Sequence, residues 1–292
     1  MNNKINKYSQ LVLCSLFFLC ALLIVGCSTT PKKPGEVDVL RKQAESWLES
    51  GSKAAGQGRF EDALKILTDT KRNAALSDDS SLLIRTSLSR GNVLYSLGKT
   101  EEAFVEWNYA IAEAITLGDP ELLSVSKIYL ARGNLIAKNT DAASVLNEVT
   151  KESANIKKSR LYIAFSWQVT GLANRALERY NEAEAAFKRS LDIHVKDSYL
   201  DNAAYDWYVI ASVRSLSNNF KGAIDALKLS ISYDRRIENS WGLAASYRAM
   251  GDVYIKDKQQ SKAMDAYSRA RSIYAALGSE NEAAQMDKKI LN

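Results

Sequence analysis

The chain has 292 residues, of which 39 are Lys or Arg, 34 are Asp or Glu, 46% are hydrophobic and one is histidine. A formal net charge of +5 over this length does not supply the clustered basic footprint of a nucleic-acid-binding surface, so no nucleic-acid partner is expected. With His194 the sole histidine and the cysteines confined to Cys14, Cys20 and Cys27, Ser-His-Asp catalysis would rest on one residue. A metal site would need carboxylates for nearly all its ligands.

Lys4 and Lys7 precede Leu11 to Gly26, an uncharged and mainly apolar run of 16 residues. That is short for an ordinary transmembrane helix and suits the apolar region of a signal peptide. The run closes on Ile24-Val25-Gly26-Cys27, which resembles a bacterial lipobox. The resemblance implies diacylglyceryl transfer to the Cys27 thiol, cleavage before Cys27 and acylation of the new amine. Residues 1–26 are then a lipoprotein signal peptide and 27–36 a lipidated tether, which contains Pro31 and Pro34 and no large apolar residue. Ser28 follows the cysteine, and the sorting rule of such lipoproteins places the protein on the outer membrane, facing the periplasm. Cys14 and Cys20 leave with the signal and Cys27 is acylated, so neither a free thiol nor a disulfide is expected in the mature chain.

From residue 37 the sequence becomes periodic. Alanine recurs at Ala63, Ala103, Ala143, Ala183, Ala223 and Ala263, a 40-residue period, and a period of this size marks stacked units that bury their apolar faces only against one another. Twelve residues before the alanines stand Gly51, Gly91, Ala131, Gly171, Ala211 and Gly251. Trp47, Trp167, Trp207 and Tyr247 come four residues before four of these, and Leu67, Trp107, Phe187, Leu227 and Tyr267 come four after the alanines. Each unit therefore predicts two amphipathic helices. The first carries a large and a small residue four apart, the second carries alanine and a large apolar residue four apart, and a short polar turn such as Gly98-Lys99-Thr100 joins them. The small residues are contact points where two helices approach closely.

These positions resemble the tetratricopeptide repeat, with its W-x2-L-G-x2-Y first helix and its A-x3-F second helix. Repeat four carries the pattern best, with Trp167 to Gly171 and Ala183 to Phe187, and the match covers about residues 40–277. The period exceeds the family's usual 34 residues and is similar to the longer repeats of kinesin light chain. The resemblance implies an all-α fold, a right-handed α-solenoid of six TPR-like helix pairs over 37–277. A C-terminal capping helix over 278–292 follows, started by Ser279 and Glu282 as a capping box. Repeat three breaks the pattern. In strict phase Lys127 and Asn134 take core positions while Val125, Ile128, Leu135 and Ile136 turn outward. Sliding its first helix by two residues aligns Arg132-Gly133-Asn134 with Arg90-Gly91-Asn92 and predicts a core through Tyr129 and Ile136. Moving its second helix one residue the other way lets Ala142 and Leu146 replace Ala143 and Asn147, with a turn three residues shorter.

Enzyme motifs fail on context. Gly98-Lys99-Thr100 mimics the end of a P-loop, but the required earlier glycine is Val93. Gly56-Gln57-Gly58 follows a predicted helix rather than a strand, which removes the dinucleotide-binding setting. Glu61-Asp62 and Glu101-Glu102 open second helices, where they complement the helix dipole. His194, near a helix end, is read either as a cation suited to the helix C-terminus or as a plainly exposed residue. No catalytic residue, cofactor or metal is expected.

Function then falls to the concave face, which the resemblance assigns to the first helix of each repeat. Carried onto this chain, with repeat three slid, its ligand positions include Arg85, Asn92, Tyr95, Lys127, Asn134, Gln168, Arg175, Tyr205, Tyr208 and Arg248. The polar and aromatic residues at all such positions, serines aside, include six basic and two acidic members. An acidic or C-terminal carboxylate segment of a protein partner fits that balance, held by charge-assisted bonds while asparagines reach peptide amides. The expected function is a non-catalytic, lipid-anchored scaffold or adaptor in envelope complex assembly, and the chain resembles lipoproteins that help assemble type IV pilus secretins. The alternative is a ligand-binding or transporter-accessory lipoprotein, which would use a closed pocket rather than an open groove.

Overall fold

A computed structural model describes residues 35–291; the signal peptide, Cys27 and nearly all of the tether lie outside them. The compact unit is Leu40–Asn292. Thirteen α-helices follow one another, with no strand among the described residues. They form six consecutive pairs, α1 (Gly35–Gly56) with α2 (Phe60–Leu76), α3 (Ser80–Ser96) with α4 (Thr100–Leu117), α5 (Pro120–Ile136) with α6 (Ala142–Ser153), α7 (Arg160–Ala176) with α8 (Tyr180–Lys196), α9 (Leu200–Leu216) with α10 (Phe220–Arg236), and α11 (Ser240–Lys256) with α12 (Gln260–Ala276). The last helix, α13 (Glu280–Leu291), packs on α12 and buries Met286 and Ala283. The chain is thus an all-α solenoid of helix pairs.

Nine of the helices have 17 residues, or about 25 Å each at 1.5 Å per residue. Between them the backbone turns left-handed at residues 58, 78, 98, 118 and 138, and again at 178, 198, 218, 238, 258 and 278. After α1 the N–H of Gly58 donates to Ala55 and that of Arg59 to Ala54, both at 3.0 Å, and the same two bonds recur after α2 through Asp78 and Asp79. This paired closure satisfies the last carbonyls of a helix and requires a left-handed residue at its centre. The 40-residue unit is therefore two 20-residue halves, each a helix and a turn. The turn centre is usually not glycine, so the alanine period conceals this finer regularity.

Small residues are contact points, as the periodicity predicts. A Cβ on Gly51 would lie 2.8 Å from Leu67, and one on Gly171 would lie 2.5 Å from Phe187. Gly91 stands in the same way against Trp107, and Gly251 against Tyr267. Ala63, Ala103, Ala183, Ala223 and Ala263 are fully buried.

Repeat three departs from its predicted register. α5 keeps the 40-residue phase of α3 and α7, with Ala131 buried at the shared small position, rather than sliding by two residues. Val125 and Ile128 are nevertheless fully buried, because α5 is packed by α3, α4, α6 and α7 and most of its circumference is covered. Gly133 contacts Trp107 of the preceding repeat, so it is not the counterpart of Gly91. Tyr129 stacks on Phe165 at 4.2 Å, whereas Ile136, placed in the core by the slide, is 45% exposed. The shift of the second helix has the right direction, since Ala143 and Asn147 are exposed and Ala142 and Leu146 half-buried. Val145 and Val149 form most of its core. The turn is longer rather than shorter: α5 ends in phase, while Asp141 delays the start of α6 by capping Ala143 and Ser144 at 3.0 and 2.9 Å.

First helices of successive repeats touch, α3 with α5, α5 with α7 and α9 with α11. They form the inner layer of the solenoid, and the second helices form the outer one.

Candidate functional site

The predicted residues sit on inner helices: Arg85, Asn92 and Tyr95 on α3, Lys127 and Asn134 on α5, Gln168 and Arg175 on α7, Tyr205 and Tyr208 on α9, and Arg248 on α11. Part of this set converges. Tyr205 stacks on Tyr208 with ring centres 6.5 Å apart. Desolvation raises the pKa of Tyr205, although the residue is 42% exposed, and the guanidinium groups of Arg132 and Arg175 pull it partly back. Arg248 lies beside the hydroxyl of Tyr208, which favours its charged form, and Arg175 donates to Ser212 Oγ at 3.3 Å. Arg132 donates to Asn92 Oδ1 at 3.4 Å and lies 5.8 and 5.9 Å from the rings of Phe165 and Tyr129. Its Nε is buried without a partner.

Three arginines, Arg132, Arg175 and Arg248, are thus half-buried along the inner face. Among the described residues none of them forms an ion pair with a carboxylate. Asp252, which also bears on Arg248, is engaged by Lys289 at 2.6 Å.

Other predicted residues are occupied elsewhere. Lys127 Nζ is 3.0 Å from Glu152, a buried carboxylate that also accepts from Ser124 at 2.6 Å. Arg85 faces Glu45 at 3.7 Å. Tyr95 packs beside Trp107 at 6.1 Å, and Asn134 is half-buried. Gln168 is buried and donates to Asp206 at 2.8 Å. Arg132 was missed because sliding repeat three put Lys127 and Asn134 into the ligand positions; the unbroken 40-residue count finds it.

His194 is not exposed. It is 1% exposed, and its Nδ1 lies 2.6 Å from Oδ2 of Asp206, itself fully buried. The same oxygen accepts from Ser190 at 3.0 Å. Burial pushes the Asp206 carboxyl above its usual range, against the pull of His194, Gln168 and Ser190. Ser, His and Asp therefore meet, but not as a catalytic set. Ser190 and Asp206 both address Nδ1, whereas a nucleophile must sit on the opposite nitrogen, and His194 Nε2 is buried without a partner. The cluster ties α8 to α9 and α7.

The inner space is not a groove open along its whole length. Phe60, at the start of α2, meets Trp241 of α11 edge to face at 5.1 Å. Trp241 in turn meets Tyr274 at 5.2 Å. In the turn before α2, Gly58 has φ +77°, and a Cβ there would lie 2.8 Å from Trp241. The first repeat rests on the sixth, and a pocket of about 450 Å³ lies at this seam, bounded by residues of α1 to α3 and α9 to α11.

No protein-family model matches the chain, and no curated protein matches it in sequence. Solved structures do. A Rap conjugation gene regulator of the plasmid pLS20, in complex with a Phr peptide, superposes with a TM-score of 0.58 at 13% identity, covering 86% of this chain and 78% of that one. A thermophilic tetratricopeptide-repeat protein of Thermus thermophilus gives 0.51 at 19% identity, with 72% and 100% covered. A kinesin light chain protein with nearly identical TPR-like repeats, from Podosopora anserina, gives 0.50 at 15% identity, with 67% and 96% covered.

Proposed function

We propose that this chain, which has the tetratricopeptide-repeat fold, is a non-catalytic protein-interaction scaffold that holds an acidic peptide segment on its inner face. The observation that carries this reading is the set of half-buried arginines, Arg132, Arg175 and Arg248, with no carboxylate partner among the described residues, interleaved with Tyr205 and Tyr208. A guanidinium already stripped of part of its water gains from an incoming carboxylate, which it can meet with two parallel bonds. The stacked tyrosines supply apolar contact at low entropic cost. The plasmid regulator solved with a peptide bound supports a peptide partner for this fold. Fluorescence anisotropy with a labelled glutamate-rich peptide ending in a free carboxylate tests the reading. Arg132→Ala with Arg175→Ala should weaken binding at least tenfold and flatten its salt dependence, since screening acts on exposed charge pairs. Equal affinity for the double variant would remove these arginines from the site.

The scaffold is anchored through lipid on Cys27, at the outer membrane and facing the periplasm, where it serves in envelope complex assembly. The support is the lipobox-like Ile24 to Cys27 closing an uncharged apolar run; two or more acyl chains give stable anchoring where one gives marginal binding. Cys27→Ala should abolish incorporation of labelled fatty acid, and persistent labelling would show that the motif is not read. The seam pocket favours a second reading, a ligand-binding lipoprotein, because it is bounded where a peptide groove would run open.

A further inference from the structure

Asp234 stands near the end of α10 and is 2% exposed. Its Oδ1 accepts from Asn239 Nδ2 at 2.7 Å. The Oδ1 of Asn239 is itself engaged by the N–H of Gly242 at 2.9 Å, capping α11, so only the NH2 end of that amide can face Asp234. Among the described residues no Lys or Arg pairs with Asp234. Burial, opposed by the hydrogen bond from Asn239 and by the nearby Ser230 hydroxyl, pushes its carboxyl up to about 7. A carboxylate this buried ordinarily has a cation beside it, because desolvating an ion costs several kcal/mol.

Asp234 instead lines the seam pocket. Phe60, Tyr205, Tyr208 and Trp241 line it too, together with a second carboxylate, Asp201. Its one lining cation is Arg248, beside the Tyr208 hydroxyl. Glycine at position 242 keeps this wall open, since a Cβ there would lie 2.5 Å from Asp234 Oδ1. The pocket, about 450 Å³, is within the usual size of small-ligand sites.

We propose that the seam pocket binds an aliphatic ammonium group, with Asp234 as its counter-ion and the rings of Trp241 and Phe60 forming its wall. An ammonium group brings three donors and no acceptor, which suits a carboxylate beside the hydroxyl oxygens of Ser230 and Ser246, both lining the pocket. The faces of aromatic rings attract such a cation within about 6 Å, and more strongly when it is desolvated. An anionic ligand would meet two carboxylates. A metal ion would need a cluster of at least three ligating side chains, and no such cluster occurs among the described residues. The proposal does not rest on the acidic-peptide reading: Arg132 and Arg175 lie outside this pocket, and Arg248, Tyr205 and Tyr208 are shared between the two sites.

Isothermal titration of the purified protein with cadaverine, and separately with N-acetyl-lysine amide, tests the proposal and separates its two sources of ammonium. Saturable one-to-one binding of cadaverine alone assigns the pocket to free amines, and of acetyl-lysine amide alone to a lysine side chain of a partner; either supports the site. Asp234→Asn should weaken binding at least tenfold, while 1,5-pentanediol, a neutral isostere of cadaverine, should not bind. The Asn variant keeps the shape of the side chain and removes a buried charge, and an unchanged helical circular dichroism spectrum would show it folded. Failure of both amines to bind, or wild-type affinity in folded Asp234→Asn, would overturn the proposal.

Discussion

A Trp107→Ala chain should lose about 3–5 kcal/mol of unfolding free energy, the usual cost of truncating a buried tryptophan. Trp107 is 1% exposed and is wedged between Gly91 and Gly133, with Phe104 edge on at 5.2 Å. The glycine on each side has no side chain that could move in to fill the void. The ring also joins repeat two to repeat three, so its loss weakens one interface in an array whose stability is carried between neighbours. Urea denaturation followed by circular dichroism should show a lower midpoint and a transition that separates into two. A loss below about 1 kcal/mol would contradict the wedge role.

The second large effect belongs to His194. Its removal in His194→Ala leaves Asp206 fully buried with only Gln168 and Ser190 for company, and stripping one member from a buried pair typically costs about 3–5 kcal/mol. Adding Asp206→Ala should restore part of that loss, because the stranded carboxylate goes with it. A double-mutant cycle by denaturation gives the coupling. Additive losses would mean that the 2.6 Å contact between the two contributes nothing specific. Peptide binding at Arg132 and Arg175 should survive both changes in any folded variant, since neither arginine is bonded to this cluster.

The site was legible only in part. Arg175, Tyr205, Tyr208 and Arg248 could be placed on inner helices because a residue's position within a repeat decides which helix carries it. Lys127 was assigned to the same face by assuming that an inner helix has one buried side. α5 has several, since α3, α4, α6 and α7 all pack on it, and an apolar pattern computed for one face then gives the wrong register. His194 was misplaced for a related reason. Its burial depends on Asp206, on the next helix, and a polar residue near a helix end gives no local sign that a partner covers it.

Residue spacing alone defines the repeat: its length, its two helices, and the glycine positions against which Leu67, Trp107, Phe187 and Tyr267 pack. All of these are set by contacts within one unit or with the next, so their spacing is written along the chain. The meeting of Phe60 with Trp241, and the place of Asp234 in a pocket beside them, emerge from the three-dimensional packing. That seam joins the first repeat to the sixth. Its position depends on small rotations accumulated from one repeat to the next, each fixed by side-chain packing at an interface, and a periodic pattern records the unit but not the sum of those rotations.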